Sequence, residues 1–152
     1  PKRKLEYICT RLLLKEIDEN LSISYNEFGA PILNDNRNIS ISHSNNLVAI
    51  IVSEKKVAID VEKINDRAYK IKEKFLSNND IFFENEINTT LAWSAKETVF
   101  KLYQKGNIDF KEDIIIKKID TEKKQIMVMF KKKNLVLNYQ ELNNHFLVYV
   151  CI

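Results

Sequence analysis

"NISISHSNNLVAIIVSEKKVAIDVEKI", residues 38–64, contains three short runs in which apolar and polar residues alternate. Alternation with a period of two is typical of β-strands that turn one face toward a core. The runs therefore predict three strands, at 38–42, 47–53 and 56–64. The short polar segments between them, HSNN and EK, favour tight turns that join neighbouring strands.

Helices are predicted on both sides of these strands. Residues 4–19 place Leu5, Ile8 and Leu12 on one helical stripe, and residues 90–105 form a second periodic segment that ends near Gly106. Residues 26–38 are rich in turn formers and predict a loop, and 65–90 predict short helices with loop. Four alternating runs then predict an antiparallel meander up to residue 151. A helix followed by strands thus occurs twice, which predicts an α+β fold with similar subdomains at 1–64 and 65–152.

The composition limits the class of protein. A chain of 152 residues, 45% hydrophobic and 30% charged, fits one globular domain or two tightly joined halves. It has no apolar run of about 20 residues and no signal-peptide pattern. Two cysteines without framework spacing predict free, buried thiols, and we expect a cytoplasmic protein. The net charge of +3 suits an acidic partner or a small polyanion, and two glycines exclude a glycine-rich phosphate loop.

The third strand carries a pair of carboxylates. Residues two apart in a strand share a face, so Asp60 and Glu62 lie on one side and Val57, Ile59 and Val61 on the other. Two neighbouring carboxylates can bind a hard divalent cation such as Mg²⁺. They can equally form the solvent face of an edge strand, which is the interpretation that the spacing alone favours.

Two histidines fall near predicted turns. Ser42 and His43 end the first strand, where a histidine can bind a phosphate or orient a ligand. A turn histidine bonded only to local backbone is the better interpretation of His43 taken alone. His145 lies at a predicted hairpin and is given no functional role.

The segment "LAWSAKETVFKLY", residues 91–103, has apolar residues on two sides of the predicted helix. Glu97 and Lys101 lie beside Trp93 and are spaced as a favourable surface pair, worth about 0.2–0.5 kcal/mol when exposed. The alternative is the wall of a cleft, with Glu97 as an oxygen ligand and Lys96 and Lys101 as phosphate-binding cations. The helix alone leaves both interpretations open. Together with Asp60 and Glu62, it suits a magnesium-bound diphosphate.

In this order and spacing, "ISHS", "VAIDVE" and "WSAKETVFK" resemble the signature of the 4′-phosphopantetheinyl transferases, which is SHS, then G-I-D-[IV]-E, then W-[ST]-x-K-E-x-x-x-K. The SHS segment resembles the larger, surfactin-synthetase-activating type. Further similar segments are "TRLLLK" at 10–15, "FGAPIL" at 28–33 and "KFLS" at 74–77, so the resemblance covers nearly the whole chain.

The resemblance implies a fold and a reaction. The fold is two similar α/β subdomains related by pseudo-twofold symmetry, with the active site at their junction. The reaction is Mg²⁺-dependent transfer of the phosphopantetheine arm of coenzyme A to a serine of an apo acyl or peptidyl carrier protein, with release of 3′,5′-ADP. We expect a monomer that binds neither nucleic acid nor membrane.

The resemblance also implies roles for individual residues. Asp60, Glu62 and Glu97 match the Mg²⁺ ligands, and Glu97 is the candidate base for the carrier serine. Lys96 matches a catalytic lysine at the leaving phosphate. The implied coenzyme A-binding residues are Arg11, Ser42, His43, Asp60, Lys96 and Lys101.

The chain departs from the family pattern at three places. Ala58 replaces a glycine, Ala30 replaces a ligand-facing lysine, and the N-terminal segment of the larger members does not precede Pro1. The first subdomain is therefore expected to be incomplete. The alternative is a non-catalytic module that binds coenzyme A or a carrier protein. Nucleic-acid binding is disfavoured, because the lysines are dispersed along the chain.

Overall fold

The computed structural model describes residues 2–81 and 83–152, which form a mixed α and β architecture, as predicted. The elements in chain order are α1 (Lys2–Ile17), β1 (Ile23–Tyr25), β2 (Pro31–Leu33), β3 (Asn38–Ser44), β4 (Leu47–Ser53), β5 (Val57–Lys63), α2 (Arg67–Lys70), a 3₁₀ helix (Lys72–Lys74), α3 (Glu86–Tyr103), β6 (Ile114–Asp120), β7 (Gln125–Phe130), β8 (Lys133–Leu142) and β9 (His145–Cys151). The three strands predicted within residues 38–64 are all present. The predicted loop at 26–38 contains β2, which pairs with β1.

The strands form three antiparallel sheets. Two are two-stranded, β1–β2 and β3–β4, and the third has the order β5-β9-β8-β7-β6. β5 is thus paired with the last strand of the chain, Asp60 opposite Val148. The domain boundary between residues 64 and 65 stays a prediction, as does pseudo-twofold symmetry, but backbone pairing crosses that boundary.

Two-residue turns join three of the hairpins. Asn45-Asn46, Lys131-Lys132 and Asn143-Asn144 have positive φ at both residues, between 39° and 68°. This is the backbone of a type I′ turn, whose twist matches that of the strands it connects. Asparagine tolerates this conformation well, whereas lysine adopts it at a cost.

Helix α3 has clear start and stop signals. The Asn85 side chain accepts a hydrogen bond from the Asn88 N–H at 2.9 Å and caps the first turn. At the other end Gln104 takes the left-handed conformation, φ 58°, and its N–H bonds the Phe100 carbonyl. Ala92, Ala95 and Val99 form a fully buried apolar stripe of the helix and pack over the five-stranded sheet.

Helix α1 differs from its prediction in the face that it buries. Leu5, Ile8 and Leu12, the expected core stripe, are 59%, 42% and 61% exposed. Thr10 and Leu14 are buried instead, Leu14 within a small cluster that includes Leu33 and Ile39. The helix therefore turns a narrower, more polar stripe to the sheet than its hydrophobic pattern indicates.

Both cysteines are free, but neither is buried. Cys9 is half-buried and Cys151 is exposed at the end of β9. In the described part of the chain, every helix is too short or too polar to cross a lipid bilayer.

Candidate active site

Serine side chains of β3 bridge the β3–β4 hairpin to β5. Ser40, Ser42 and Ser44 are two residues apart and share one face of the strand. Each serine Oγ accepts a backbone N–H of β5 at 3.1 Å, from Ile59, Val61 and Lys63 respectively. The bridge covers the edge of β5, and the residues on both faces of this strand are buried from Val57 to Val61. The interpretation of Asp60 as part of a solvent face is therefore wrong.

Asp60 lies at the centre of the site and is only 3% exposed. Its Oδ1 accepts hydrogen bonds from Ser42 Oγ at 2.9 Å and from Lys101 Nζ at 2.8 Å. Its Oδ2 accepts a third, from Ser94 Oγ at 2.8 Å. A carboxylate is tolerated at this depth because hydrogen-bond donors and a positive charge surround it.

Glu62 lies two residues further along β5, on the same face of the strand as Asp60. Its Oε1 accepts a hydrogen bond from the indole Nε1 of Trp93 at 3.1 Å, and Ser44 Oγ approaches Oε2 at 3.5 Å. Burial, followed by repulsion from Asp60, raises the pKa of the Glu62 carboxyl above its usual value. The tryptophan bond and Lys101 act in the opposite direction.

Glu97 projects from α3 toward the same carboxylates. Burial raises the pKa of Glu97 from 4.5 to about 7; repulsion from Asp60 and Glu62 adds to this, and Lys101 opposes it. Within the described ranges, no protein group donates a hydrogen bond to the Glu97 carboxylate. The structure thus brings the three predicted acids and Lys101 within electrostatic reach of one another.

The chemistry of this donor set fits a hard divalent cation. Three carboxylates lie near one ammonium group and repel one another. A bound divalent cation would reduce this repulsion. Asp60 Oδ1 accepts from two donors, whereas Asp60 Oδ2, with the one bond from Ser94, and the oxygens of Glu62 and Glu97 retain lone pairs for a cation. Among residues 2–81 and 83–152, no group of three or more His, Cys, Asp or Glu side chains already stands in a metal-binding arrangement. The Mg²⁺ site stays a prediction.

Lys101 connects the acids to an adjoining pocket. Its ammonium contacts Ser42 Oγ, Asp60 Oδ1 and, at 3.3 Å, the Ile59 carbonyl. The same side chain lines a mostly apolar pocket between Phe28 and Phe100. A ligand in this pocket would meet apolar walls and one positive charge.

Arg11 and His43, two of the predicted coenzyme A-binding residues, line one groove between α1 and β3. The Arg11 guanidinium lies over the Tyr7 ring at 3.2 Å, and His43 Nδ1 is 3.5 Å from Glu6 Oε1. Ser42 points to the opposite face of β3, into the acid cluster. The structure therefore divides the SHS segment, with serines turned inward and the histidine turned to solvent.

Lys96 is not brought to this cluster. Its side chain is 0% exposed, and its ammonium lies 2.9 Å from Asp80 Oδ2. Burial lowers the pKa of Lys96, and Asp80 partly restores it. The predicted role of Lys96 at a phosphate stays a prediction that this geometry does not support.

Several residues of the site were missed by the sequence interpretation. Ser94 was identifiable, because Ser94, Glu97 and Lys101 are spaced at i, i+3 and i+7 on one helix face. Ser40 and Ser44 follow from the period of two around Ser42. Asp80 had no comparable signal, because its partner is distant in sequence.

Part of this chain is similar in sequence to a curated protein. Over 96 residues the chain is 30% identical to 4′-phosphopantetheinyl transferase gsp of Aneurinibacillus migulanus. The match covers 59% of this chain and 40% of that protein, so the chain spans less than half the length of this curated relative. No protein-family model matches the chain. The similarity supports a relationship to the 4′-phosphopantetheinyl transferases.

Proposed function

We propose that this chain transfers the 4′-phosphopantetheine arm of coenzyme A to a serine of an apo acyl or peptidyl carrier protein. The reaction is Mg²⁺-dependent and releases 3′,5′-ADP. The observation that supports the proposal is the buried Asp60–Lys101 pair, with Glu62 and Glu97 close enough to be affected by both charges. The name of the curated relative supports the same class of reaction.

The acids and Lys101 have different electrostatic roles in this proposal. Asp60, Glu62 and Glu97 would hold Mg²⁺, which when bound supplies positive charge to the diphosphate. Lys101, whose side chain is 27% exposed, exchanges its long bond to the Ile59 carbonyl for a phosphate oxygen on the side of the apolar pocket. Arg11 and His43 bind the 3′-phosphate in the groove beside α1.

The reaction exchanges one phosphorus–oxygen bond for another. The carrier serine oxygen attacks the phosphorus that bears the pantetheine, and the bond from this phosphorus to the leaving 3′,5′-ADP breaks. The serine proton passes to Glu97, directly or through water. A positioned carboxylate is a common general base for such a proton transfer.

Mass spectrometry of the carrier tests the proposal. The protein is incubated with coenzyme A, Mg²⁺ and an apo carrier protein, beside a transferase of known activity. We expect the carrier to gain the mass of one phosphopantetheine group. An unchanged carrier, with the reference enzyme active, would reject the proposal. Calorimetric binding of coenzyme A in that case would instead support a non-catalytic module.

Two substitutions test the assignment of the acids. We expect Asp60→Ala and Glu97→Ala to lower the transfer rate by at least about 100-fold. Glu54→Ala, at an exposed acid, is the matched control and should leave the rate unchanged. Far-UV circular dichroism verifies the fold of each variant. Full activity in a folded Asp60 or Glu97 variant would refute its role.

A further inference from the structure

The buried ammonium of Lys96 joins three separate segments of the chain. It donates to the carbonyls of Phe75 and Phe110, both at 2.8 Å, and to Asp80 Oδ2 at 2.9 Å. An ammonium has three N–H groups, so these acceptors use all of them. Its side chain is also 0% exposed, whereas that of Lys101 is 27% exposed, so a substrate phosphate can reach Lys101 but not Lys96. Asp80 in turn accepts the Ile116 N–H at 2.7 Å, which ties the pair to β6.

Phe75 and Phe110, whose carbonyls accept hydrogen bonds from Lys96, also pack their rings against Trp93. The Phe75 ring meets the indole edge-on with centroids 5.0 Å apart, and the Phe110 ring is tilted against it at 5.6 Å. Aromatic contacts at these distances have preferred geometries and restrict the orientation of the partner ring. Lys96 therefore holds the backbone of both residues that pack against the indole.

The orientation of Trp93 determines a contact to the acid cluster. Its Nε1 donates to Glu62 Oε1 at 3.1 Å, and indole has this one donor only. A small rotation of the ring would break the bond and leave a buried carboxylate without its best donor. The contacts run without interruption from Asp80 through Lys96, Phe75 and Phe110, and Trp93 to Glu62.

We propose that Lys96 is a positioning residue, which fixes Phe75 and Phe110 so that Trp93 holds Glu62 in the acid cluster. Asp80 neutralises the buried ammonium, and the paired charges anchor the loops before and after α3. The consequence for catalysis rests on the proposed function. The position of the indole does not, and it is measurable without any substrate.

The test uses the double variant Lys96→Met with Asp80→Asn, because removing one partner alone would leave an unpaired buried charge. Trp93 is the only tryptophan, so one indole N–H signal in the ¹H–¹⁵N spectrum reports the contact. We expect this signal to shift and its hydrogen exchange to accelerate by about tenfold or more. The near-UV circular dichroism of the indole should weaken while the far-UV spectrum is retained.

A surface ion pair supplies the matched control. Lys70 and Asp66 form an exposed i, i+4 pair, so Lys70→Met with Asp66→Asn removes the same two charges elsewhere. The indole signal of the control should equal that of the wild type. An unchanged indole in the folded Lys96–Asp80 double variant would overturn the proposal.

A second variant decides the question if the double variant does not fold. Phe110→Leu keeps the carbonyl that Lys96 binds and removes one ring from Trp93. We expect the indole N–H signal to shift and exchange faster in this variant as well. An unchanged indole in Phe110→Leu would then overturn the proposal.

The activity measurement separates this inference from the proposed function. In a folded variant with a displaced indole, the Mg²⁺ concentration for half-maximal transfer should rise by about 10–100-fold. The KM for coenzyme A should stay close to that of the wild type, because Arg11, His43 and Lys101 are untouched. An unchanged Mg²⁺ requirement would refute the link to Glu62. If the wild type shows no phosphopantetheine transfer, the proposed function is rejected. The indole N–H signal still tests the positioning role of Lys96 in that case.

Discussion

At the scale of single residues, the negative charge of Glu97 is unfavourable in the acid cluster. In the folded chain the pKa of the Glu97 carboxyl is about 7, whereas an exposed glutamate has a pKa of 4.5. Asp60, Glu62 and Lys101 are the charged groups that face it. Between these pH values the folded state binds more protons than the unfolded state. The contribution of the protonated Glu97 to folding stability is therefore fully present below pH 4.5 and is lost as the pH rises through 7.

Glu97→Gln should therefore stabilise the metal-free protein at pH 8 and not at pH 4.5. The shift corresponds to about 3 kcal/mol, and partial solvent screening reduces the expected gain to about 1–2 kcal/mol. Urea unfolding in a chelating buffer at several pH values measures it, with Glu54→Gln as control. A gain that is constant over this pH range would contradict the prediction.

Ser42 is the residue at which the β3–β5 bridge and the acid cluster meet. Its Oγ donates to Asp60 and accepts from Lys101 and from the Val61 N–H. Ser42→Ala leaves these buried partners without a bond and should lower the free energy of unfolding by about 1–3 kcal/mol. Ser24→Ala, in the exposed strand β1, is the control for a denaturant titration. Equal effects of the two substitutions would show that the bridge adds no stability.

At the scale of elements, the turn between β7 and β8 is built from an unfavourable residue pair. Lys131 and Lys132 both have positive φ, of 45° and 68°. The Lys131 ammonium contacts the Tyr103 hydroxyl, whereas the Lys132 side chain makes no hydrogen bond or ion pair within residues 2–81 and 83–152. Glycine adopts this backbone without strain, so Lys132→Gly should raise the free energy of unfolding by about 0.5–1 kcal/mol.

Asn144→Gly is the matched control for this turn. Asn144 occupies the same place in the β8–β9 turn, φ 60°, and asparagine already tolerates the conformation. The control should therefore gain less than Lys132→Gly. Thermal and urea unfolding of both variants measure the difference, and an equal or larger gain at Asn144 would contradict the explanation.

At the scale of the whole molecule, two cores of unequal size predict unequal local stability. The first packs α3 against the five-stranded sheet, and the second contains only Leu14, Leu21, Leu33 and Ile39 with a few partly buried neighbours. Within residues 2–81 and 83–152 the β3–β4 hairpin has no third backbone-paired strand, and its hydrogen bonds to β5 run through serine side chains. Isolated two-stranded sheets are marginally stable in water.

Native-state hydrogen exchange should therefore reveal two levels of protection. We expect the amides of β3 and β4 to open at a lower free energy than those of β8 and β9. Ser42→Ala should lower the first value more than the second. Equal opening free energies in both regions would mean that the serine bridge couples them into one cooperative unit.

Local sequence patterns were sufficient for much of this protein. The alternation in residues 38–64 predicted β3, β4 and β5, and the helical period and its end signal predicted most of α3. The order of "SHS", "AIDVE" and "WSAKE" identified the acids that the structure brings together. These features depend on neighbours within one strand or one turn of helix, which the sequence contains directly.

Only the tertiary structure decided which faces are covered. The pattern of α1 indicated Leu5, Ile8 and Leu12 as core residues, but the helix packs through Leu14 and leaves them exposed. Asp60 is buried because α3 packs over its face of β5 through Ser94 and Lys101, and Ser42 of β3 contacts the same carboxylate. Lys96 and Glu97 are adjacent in sequence, yet the first points to Asp80 and the second to the acid cluster. Periodicity assigns a side chain to a face of its own element, but the partner of that face comes from contacts distant in the chain.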